Sequence, residues 1–227
     1  MVFLPPHFHP RKEAMTEVEI CNLALDRLGE RAVSDDEYAQ AKGVPAEGNR
    51  DFTPSPSARA LASNYEVARK DVLVRVRWSF AMGWALLPRS SNNAVMPAAM
   101  EAAYDLPEDC LRVCDVPADR FVLGGRVLFT GQDAGDVLKI SYVRDIKEVD
   151  LFDPLFVDAL ACRLAINVCM SITGRPQLRQ ALMEEFLKVV LPDAAFANKV
   201  QDSSNDQDPL DLIRGMSLKR RRGLPWK

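Results

Sequence analysis

The chain has very little histidine. Of its 227 residues only two are histidines, and both lie near the start, at His7 and His9. Most nucleophilic mechanisms need a base beside the nucleophile, so this shortage argues against them over the rest of the chain. The sequence also lacks a Walker loop, a dinucleotide fingerprint and an H-E-x-x-H motif. We expect a protein that is not an enzyme and that uses no cofactor.

Cysteine is also sparse, and its pattern argues against metal. Five cysteines lie mostly in apolar surroundings, which predicts reduced thiols that pack as small hydrophobes. Cys110 and Cys114 form one loose pair with no second pair and no nearby histidine, so we expect no zinc site. The acidic stretch Ser34 to Tyr38 has no calcium-loop spacing, and we expect a solvated loop there. The remaining cysteines are Cys21, Cys162 and Cys169.

Neither a membrane segment nor a strong basic charge is evident. No apolar run approaches the roughly 20 residues that span a bilayer. The first residues lack the basic-then-apolar order of a secretory signal, so we expect synthesis in the cytoplasm and no membrane partner. The formal net charge is −3 and the sequence pI is near 5.5. This balance is unfavourable for a protein whose main task is to bind phosphates.

Helical signals dominate both halves of the chain. Residues 1–14 are predicted to be an N-terminal extension, followed by a helix that Thr16 and Glu19 open with a capping box. Residues 30–57 show no periodicity, and a second helix then carries an apolar stripe from Leu61 to Val76. After Phe152, a third helix is capped by Asp153. A fourth follows Pro176, and Pro192 is expected to kink or break it.

The middle of the chain changes to a β pattern. Within residues 105–145, the stretch LPEDCLRVCDVP reads as one strand and VLKISYVRD as another. Between them, Gly124 and Gly125 join two β-rich arms as a hairpin. We therefore predict an α+β fold, mostly α with a β-rich lobe. It consists of an antiparallel bundle of about four helices (15–90 and 152–201) with an inserted hairpin or three-stranded sheet.

The last residues, 202–227, differ from the rest in composition. The stretch 202–211 is polar and acidic, whereas the final fourteen residues carry six basic side chains and no acidic one. Apolar side chains lie among these charges, which is typical of an extended segment that docks on a partner. The side chains predicted to dock are Leu210, Leu212, Ile213, Leu218, Arg220, Arg221, Arg222, Leu224 and Trp226.

The stretch RVRWSFAMGWALLP, residues 75–88, combines aromatic and basic residues and has three possible functions. As a stacking platform for single-stranded nucleic acid, each aromatic ring would gain roughly 1–3 kcal/mol per base. As core, each would gain about 4–6 kcal/mol by burying roughly 150–250 Å². A surface for another subunit is the third. The small and aliphatic neighbours suit close packing, so we predict a core junction made by Trp78, Phe80 and Trp84.

The order of these segments is similar to that of a known family. The pieces ICNLALDRLGE, RWSFA, YDLPEDCLRV, FDPLFVDALACRLA and SITG occur in this order along the chain. In order and spacing they resemble the head-to-tail adaptors of short-tailed bacteriophages, the tail tubular protein A family. The resemblance covers about residues 15–200. It implies a four-helix adaptor domain, with a β-rich lobe, over residues 15–201.

The resemblance also implies a function and partners. Adaptors of this family form a ring, usually a dodecamer, between the portal protein above and the tail nozzle protein below. The ring extends the channel for double-stranded DNA, and the C-terminal segment commonly grips the portal. We therefore expect a structural protein of the virion. Two alternatives stay open: a nucleic-acid-binding module that uses the basic tail, and a cell-envelope glycan hydrolase that uses two carboxylates.

Overall fold

The computed structural model describes residues 15–44, 53–90, 96–131 and 135–201. The predicted N-terminal extension and the predicted docking tail lie outside these residues. Six α-helices are present in the described ranges: α1 (Glu17–Leu28), α2 (Asp35–Ala41), α3 (Pro56–Arg75), α4 (Pro154–Ile172), α5 (Pro176–Glu185) and α6 (Leu191–Gln201). Six strands lie between α3 and α4: β1 (Met82–Pro88), β2 (Ala102–Asp105), β3 (Cys110–Asp115), β4 (Phe121–Gly124), β5 (Val127–Thr130) and β6 (Val137–Arg144).

Helix α4 is the centre of the helical bundle. It packs against α1, α3 and α5, and its apolar side chains from Phe156 to Cys169 are almost all buried. With 19 residues and a mean hydropathy of 1.8, α4 is long and apolar enough to cross a membrane by length and composition, contrary to the expectation that no apolar run approaches that length. A core helix passes the same test, and 61% of α4 is buried inside the protein. The α+β fold class predicted from the sequence is confirmed.

Local signals determine where the helices begin and end. Thr16 Oγ1 accepts a hydrogen bond from the Glu19 backbone at 3.2 Å, and Glu19 Oε2 accepts one from the Thr16 backbone at 2.7 Å. This capping box opens α1, and Gly29, with φ of 71°, closes it in the left-handed conformation. Asp153 accepts a hydrogen bond from the Leu155 backbone at 2.8 Å and opens α4. The predicted caps are confirmed.

The expectation of an acidic loop was wrong, and of the two outcomes expected at Pro192, a kink or a break, the break is excluded. The acidic stretch expected to be a loop forms α2, because Ser34 caps it and its three acidic residues occupy the positive end of the helix dipole. Pro192 does not break the C-terminal helix. A π-helical segment, Phe186–Val190, lies immediately before it, and helical structure continues from Pro176 to Gln201. The wider turn provides the local adjustment that a proline in a helix needs.

The β-rich lobe contains two three-stranded antiparallel sheets, where a single sheet was predicted. Their strand orders are β1-β6-β3 and β2-β5-β4, and the hairpin of β4 and β5 turns at Gly125, which has a positive φ of 63°. Side chains from both sheets, Leu87, Tyr104, Leu128 and Ile140 among them, form a second apolar core. Strand β1 lies inside the range 15–90 that was expected to be helical, so the lobe begins earlier than predicted.

A buried ionic group joins the bundle to the lobe. Arg69, on α3, is 0% exposed, and its Nη1 lies 2.6 Å from Asp145 Oδ1. The same nitrogen donates to the Ile146 carbonyl, while Nη2 lies 2.6 Å from Glu66. Asp145 follows β6 directly, so this arginine fixes the end of the lobe on α3. Burial alone would lower the pKa of Arg69, but the hydrogen bonds to the Glu66 and Asp145 carboxylates outweigh this effect, and the pKa is raised.

Candidate functional site

The structure describes Trp78 and Phe80 but not the predicted docking tail. Trp78 is 0% exposed, and its indole N–H donates to the Val72 carbonyl at 3.0 Å. Its ring meets Phe156 edge-on, with centroids 5.1 Å apart, and Phe80 contacts the same ring at 5.2 Å. Phe152 completes this aromatic cluster at the start of α4. Both residues therefore lie where the end of α3 meets α4, as predicted for a core junction.

Trp84 does not belong to that junction. Its side chain is 69% exposed, so the prediction of a buried role is wrong for this residue. The physical reason is the change of period after Ala81, where the chain enters strand β1. Successive side chains of a strand point to opposite faces, so Ala85 and Leu87 turn towards the lobe core while Trp84 and Leu86 turn outward.

An exposed apolar surface results on one side of the lobe. We define the outer sheet face as Trp84, Leu86 and Val137, which are 69%, 69% and 52% exposed. Leu86 pairs with Lys139, and Val137 lies opposite Pro88, so the three apolar side chains occupy one face of β1 and β6. Strand β1 is an edge of its sheet. Adjacent large apolar side chains on a surface mark interaction sites more often than isolated ones do.

Polar groups lie along one side of the outer sheet face. Ser141, the cross-strand partner of Trp84, donates from its hydroxyl to Asp115 at 2.6 Å. Arg77 lies 3.4 Å from the same carboxylate. The hydrogen bond from Ser141 and the charge of Arg77 together hold the pKa of Asp115 below its usual value. An apolar centre beside ionised groups is the usual anatomy of a protein–protein interface.

A second group of exposed apolar side chains lies on the C-terminal helical segment. Leu187 and Val189 are each 51% exposed in the π-helical segment, and Phe196 is 51% exposed on α6. These side chains belong to the helical bundle, whereas the outer sheet face belongs to the lobe. The chain therefore presents apolar side chains on two different structural units.

A basic cleft of about 330 Å³ lies where α3, β3 and α6 meet. We define the basic cleft by its four cationic side chains, Arg75, Arg77, Arg112 and Lys199, which share its lining with Ala195 and Asn198. Asn198 fixes the wall that α6 contributes, because its Oδ1 accepts from the Ser79 backbone at 3.0 Å. Its Nδ2 donates to the Ala194 carbonyl at 2.9 Å.

The cations of the basic cleft are only partly neutralised. Arg75 pairs with Asp71 at 2.8 Å, and Asp71 also pairs with Arg163 at 2.9 Å. Arg112 donates to the Val74 carbonyl at the end of α3. Within the described part of the chain, no carboxylate lies at ion-pair distance from Arg112 or Lys199. The cleft is therefore suited to a negatively charged ligand.

The sequence did not indicate the basic cleft. Arg75 and Arg77 belong to the stretch 75–88, whereas Arg112 and Lys199 come from β3 and α6, which are distant from it in the sequence. Strand β3 has no two-residue alternation that could have indicated the exposure of Arg112, because its exposed residues, Arg112 and Asp115, are three positions apart. No signal in the sequence indicated that α6 returns to the end of α3.

Burial perturbs two of the thiols, and hydrogen bonding perturbs the carboxyl group of Glu37. All five cysteines are free, and burial raises the pKa of Cys21 to about 12 and that of Cys162 to about 11. Such thiols are poor nucleophiles at neutral pH. The carboxyl pKa of Glu37 is lowered by its hydrogen bonds with Ser55, whereas a glycosidase acid needs a raised pKa. No group of potential metal ligands was found in residues 15–44, 53–90, 96–131 and 135–201.

Comparison with known proteins does not assign a function, so the function has to be inferred from these surfaces. No family model matches the chain, and no curated protein matches it significantly. The described residues form an α+β protein with an exposed apolar sheet face and a basic cleft. Both features are suited to binding another macromolecule or a charged segment.

Proposed function

We propose that this protein is a structural head-to-tail connector of a bacteriophage virion. In this proposal, copies of the chain form a ring below the portal protein, extend the DNA channel and give the tail nozzle its attachment platform. The sequence resemblance supports the proposal, and the α+β architecture agrees with the helical core and β-rich lobe that it implies. The docking tail, residues 202–227, would reach the portal, and double-stranded DNA would pass without sequence-specific binding.

The observation that carries the proposal is the outer sheet face. A ring is built from heterologous contacts, so each subunit must present two different surfaces that fit each other. On the lobe, Trp84 and Leu86 are both 69% exposed and lie on the same face, and contiguous exposed apolar side chains of this kind mark surfaces that bind a partner. Leu187, Val189 and Phe196 provide candidate contacts on the bundle. We propose that the outer sheet face contacts the neighbouring copy.

The experiment mixes purified protein with purified portal rings of the same phage and measures joint assembly by mass photometry and electron microscopy. Wild-type protein should add a ring to the portal. Deleting residues 208–227 should abolish this assembly and leave the helical circular dichroism intact. If the shortened chain binds the portal like wild type, the tail does not dock there. If wild-type protein forms no joint assembly at all, the connector function is wrong.

A matched pair of variants tests the neighbour contact. Trp84→Asp places a charge on the outer sheet face, whereas Val67→Asp places one at a similarly exposed apolar position, 63% exposed, on α3. We expect Trp84→Asp to prevent ring completion on the portal and Val67→Asp to retain it. Equal effects of the two variants would show that the outer sheet face is not the contact.

The basic cleft favours nucleic-acid binding as a second candidate function. Four cationic side chains line it, and the end of the chain adds six more basic residues. This function predicts DNA binding by the isolated protein in the range of about 10⁻⁴ to 10⁻⁶ M, weakening steeply with salt. Fluorescence anisotropy with a labelled duplex at two salt concentrations measures it. Binding that Arg112→Glu removes would favour this candidate.

A further inference from the structure

The chain continues directly from the rim of the basic cleft into an acidic segment. Lys199 lines the cleft, and α6 ends two residues later at Gln201. The next ten residues, 202–211, contain four aspartates and no basic residue. We call this stretch the acidic segment; its carboxylates are Asp202, Asp206, Asp208 and Asp211.

We propose that the basic cleft is the docking site for the acidic segment of the same chain. Two observations support this occupant: the charges are complementary, and the segment begins beside the cleft. Ten extended residues reach up to about 33 Å, which is ample for a cleft that already includes Lys199 on its rim.

The cations of the cleft are available for such a ligand. Arg77 is only loosely paired, at 3.4 Å from Asp115, and its side chain is 51% exposed. Arg112 is held in place through the Val74 carbonyl, a neutral partner that leaves its positive charge uncompensated. Aspartate carboxylates can form charge-assisted hydrogen bonds with both guanidinium groups.

Tethering favours the acidic segment over nucleic acid as the occupant. A ligand joined to the rim by a few residues has an effective concentration in the millimolar range. Non-specific DNA binding has a Kd of about 10⁻⁴ to 10⁻⁶ M, and free DNA competes only when its own concentration exceeds that value.

Docking of this kind has a structural consequence. The acidic segment is the first part of the docking tail, and the basic residues of that tail, 214–227, follow it. Carboxylates held in the cleft would give those basic residues a defined starting point on α6. They would also neutralise the cleft, so that the protein presents less positive charge to DNA. Neither consequence requires a portal, so the inference can be tested on the free protein.

The test is photocrosslinking of the full-length protein. Ala195 lines the cleft and carries no charge, so Ala195→p-benzoylphenylalanine adds a crosslinker without removing a cation. Trypsin releases the acidic segment within a single peptide, residues 200–214. We expect that peptide to be the main crosslinked product. When ¹⁵N-labelled and unlabelled proteins are mixed, mass spectrometry should show that both peptides of each crosslink carry the same isotope, as a crosslink within one chain requires. The same crosslinker at Leu123, on β4, is the matched control and should not capture it.

Charge is tested in the same background. Replacing the four aspartates with asparagine should lower the crosslinking yield about tenfold. Four weak ion pairs together correspond to about one power of ten in the equilibrium constant for docking of the segment. About 0.5 M NaCl, where the Debye length is about 4 Å, should also lower it. An unchanged yield in the asparagine variant, crosslinks between differently labelled chains, or displacement by a stoichiometric DNA duplex would each overturn the proposal.

Discussion

Two tryptophans six residues apart should differ in what their substitution changes: Trp78 chiefly the free energy of unfolding, and Trp84 chiefly the assembly with the portal. Trp78 is 0% exposed and packs against Phe156, whereas Trp84 is 69% exposed on the outer sheet face. Removing a buried aromatic side chain costs about 3–5 kcal/mol of unfolding free energy. We therefore expect Trp78→Ala to lower the stability by that amount. Trp78→Phe should cost less, because it keeps a ring and loses chiefly the hydrogen bond to Val72.

Trp84→Ala should lower the free energy of unfolding much less than Trp78→Ala. Only about a third of this side chain is removed from water, which corresponds to an upper limit of about 1–2 kcal/mol at 25 cal/mol/Å². The two alanine variants should therefore differ by at least about 1 kcal/mol, equivalent to a difference of about 2–4 °C in Tm for a domain of this size. Joint assembly with the portal should show the reverse order, with the Trp84 variant affected at unchanged folding.

Urea unfolding followed by far-ultraviolet circular dichroism measures the stabilities. The protein should be kept dilute, so that only unassembled chains contribute. Equal m-values in the variants would support a common two-state transition. If Trp84→Ala loses as much stability as Trp78→Ala, then Trp84 is buried in the free chain and the outer sheet face does not exist as described.

Further substitutions test the buried ionic group, the thiols and the helix cap. Arg69→Met should lower the free energy of unfolding by about 1–3 kcal/mol, because it removes the hydrogen bonds to Asp145 and to the Ile146 carbonyl. Lys188→Met, at an exposed pair, should leave the thermal melt unchanged, and equal effects of the two variants would contradict this. Iodoacetamide at pH 8 should modify Cys110 before Cys162 in native protein, because Cys162 is 0% exposed, with a pKa that burial raises to about 11, whereas Cys110 is only half-buried. Burial also raises the pKa of Cys110, so the difference in rate comes chiefly from access; peptide mass spectrometry measures it, and equal rates would contradict it. Asp153→Ala should cost about 1 kcal/mol in urea unfolding, and Asp153→Ser should restore most of it; no loss would show that the cap contributes nothing.

The sequence predicted the features that depend on neighbouring residues. Thr16 and Glu19 are three positions apart, so the capping box forms within one helical turn and can be read directly. The apolar stripe of α3 and the turn at Gly125 are similarly local, and the structure agrees with both. Fold class followed from the order of these local elements.

Features that depend on distant residues were missed. The burial of Arg69 depends on Asp145, which is 76 positions away in the sequence. The single sheet predicted for the lobe became two because β1 leaves the end of α3 and pairs with β6. The four cations of the basic cleft come together only when α6 returns to the end of α3.

The chain's own sequence determined the helix caps, the hairpin and the apolar stripes, because each requires only residues within a few positions of one another. Tertiary structure alone decided that Trp78 is buried while Trp84 is exposed, since the two differ only in which face of which element meets the core. It also decided that a cleft exists for negative charge, because a cleft requires the docking of separate elements. Burial and charge clustering are properties of packed surfaces, and packing is decided by contacts that span the whole chain.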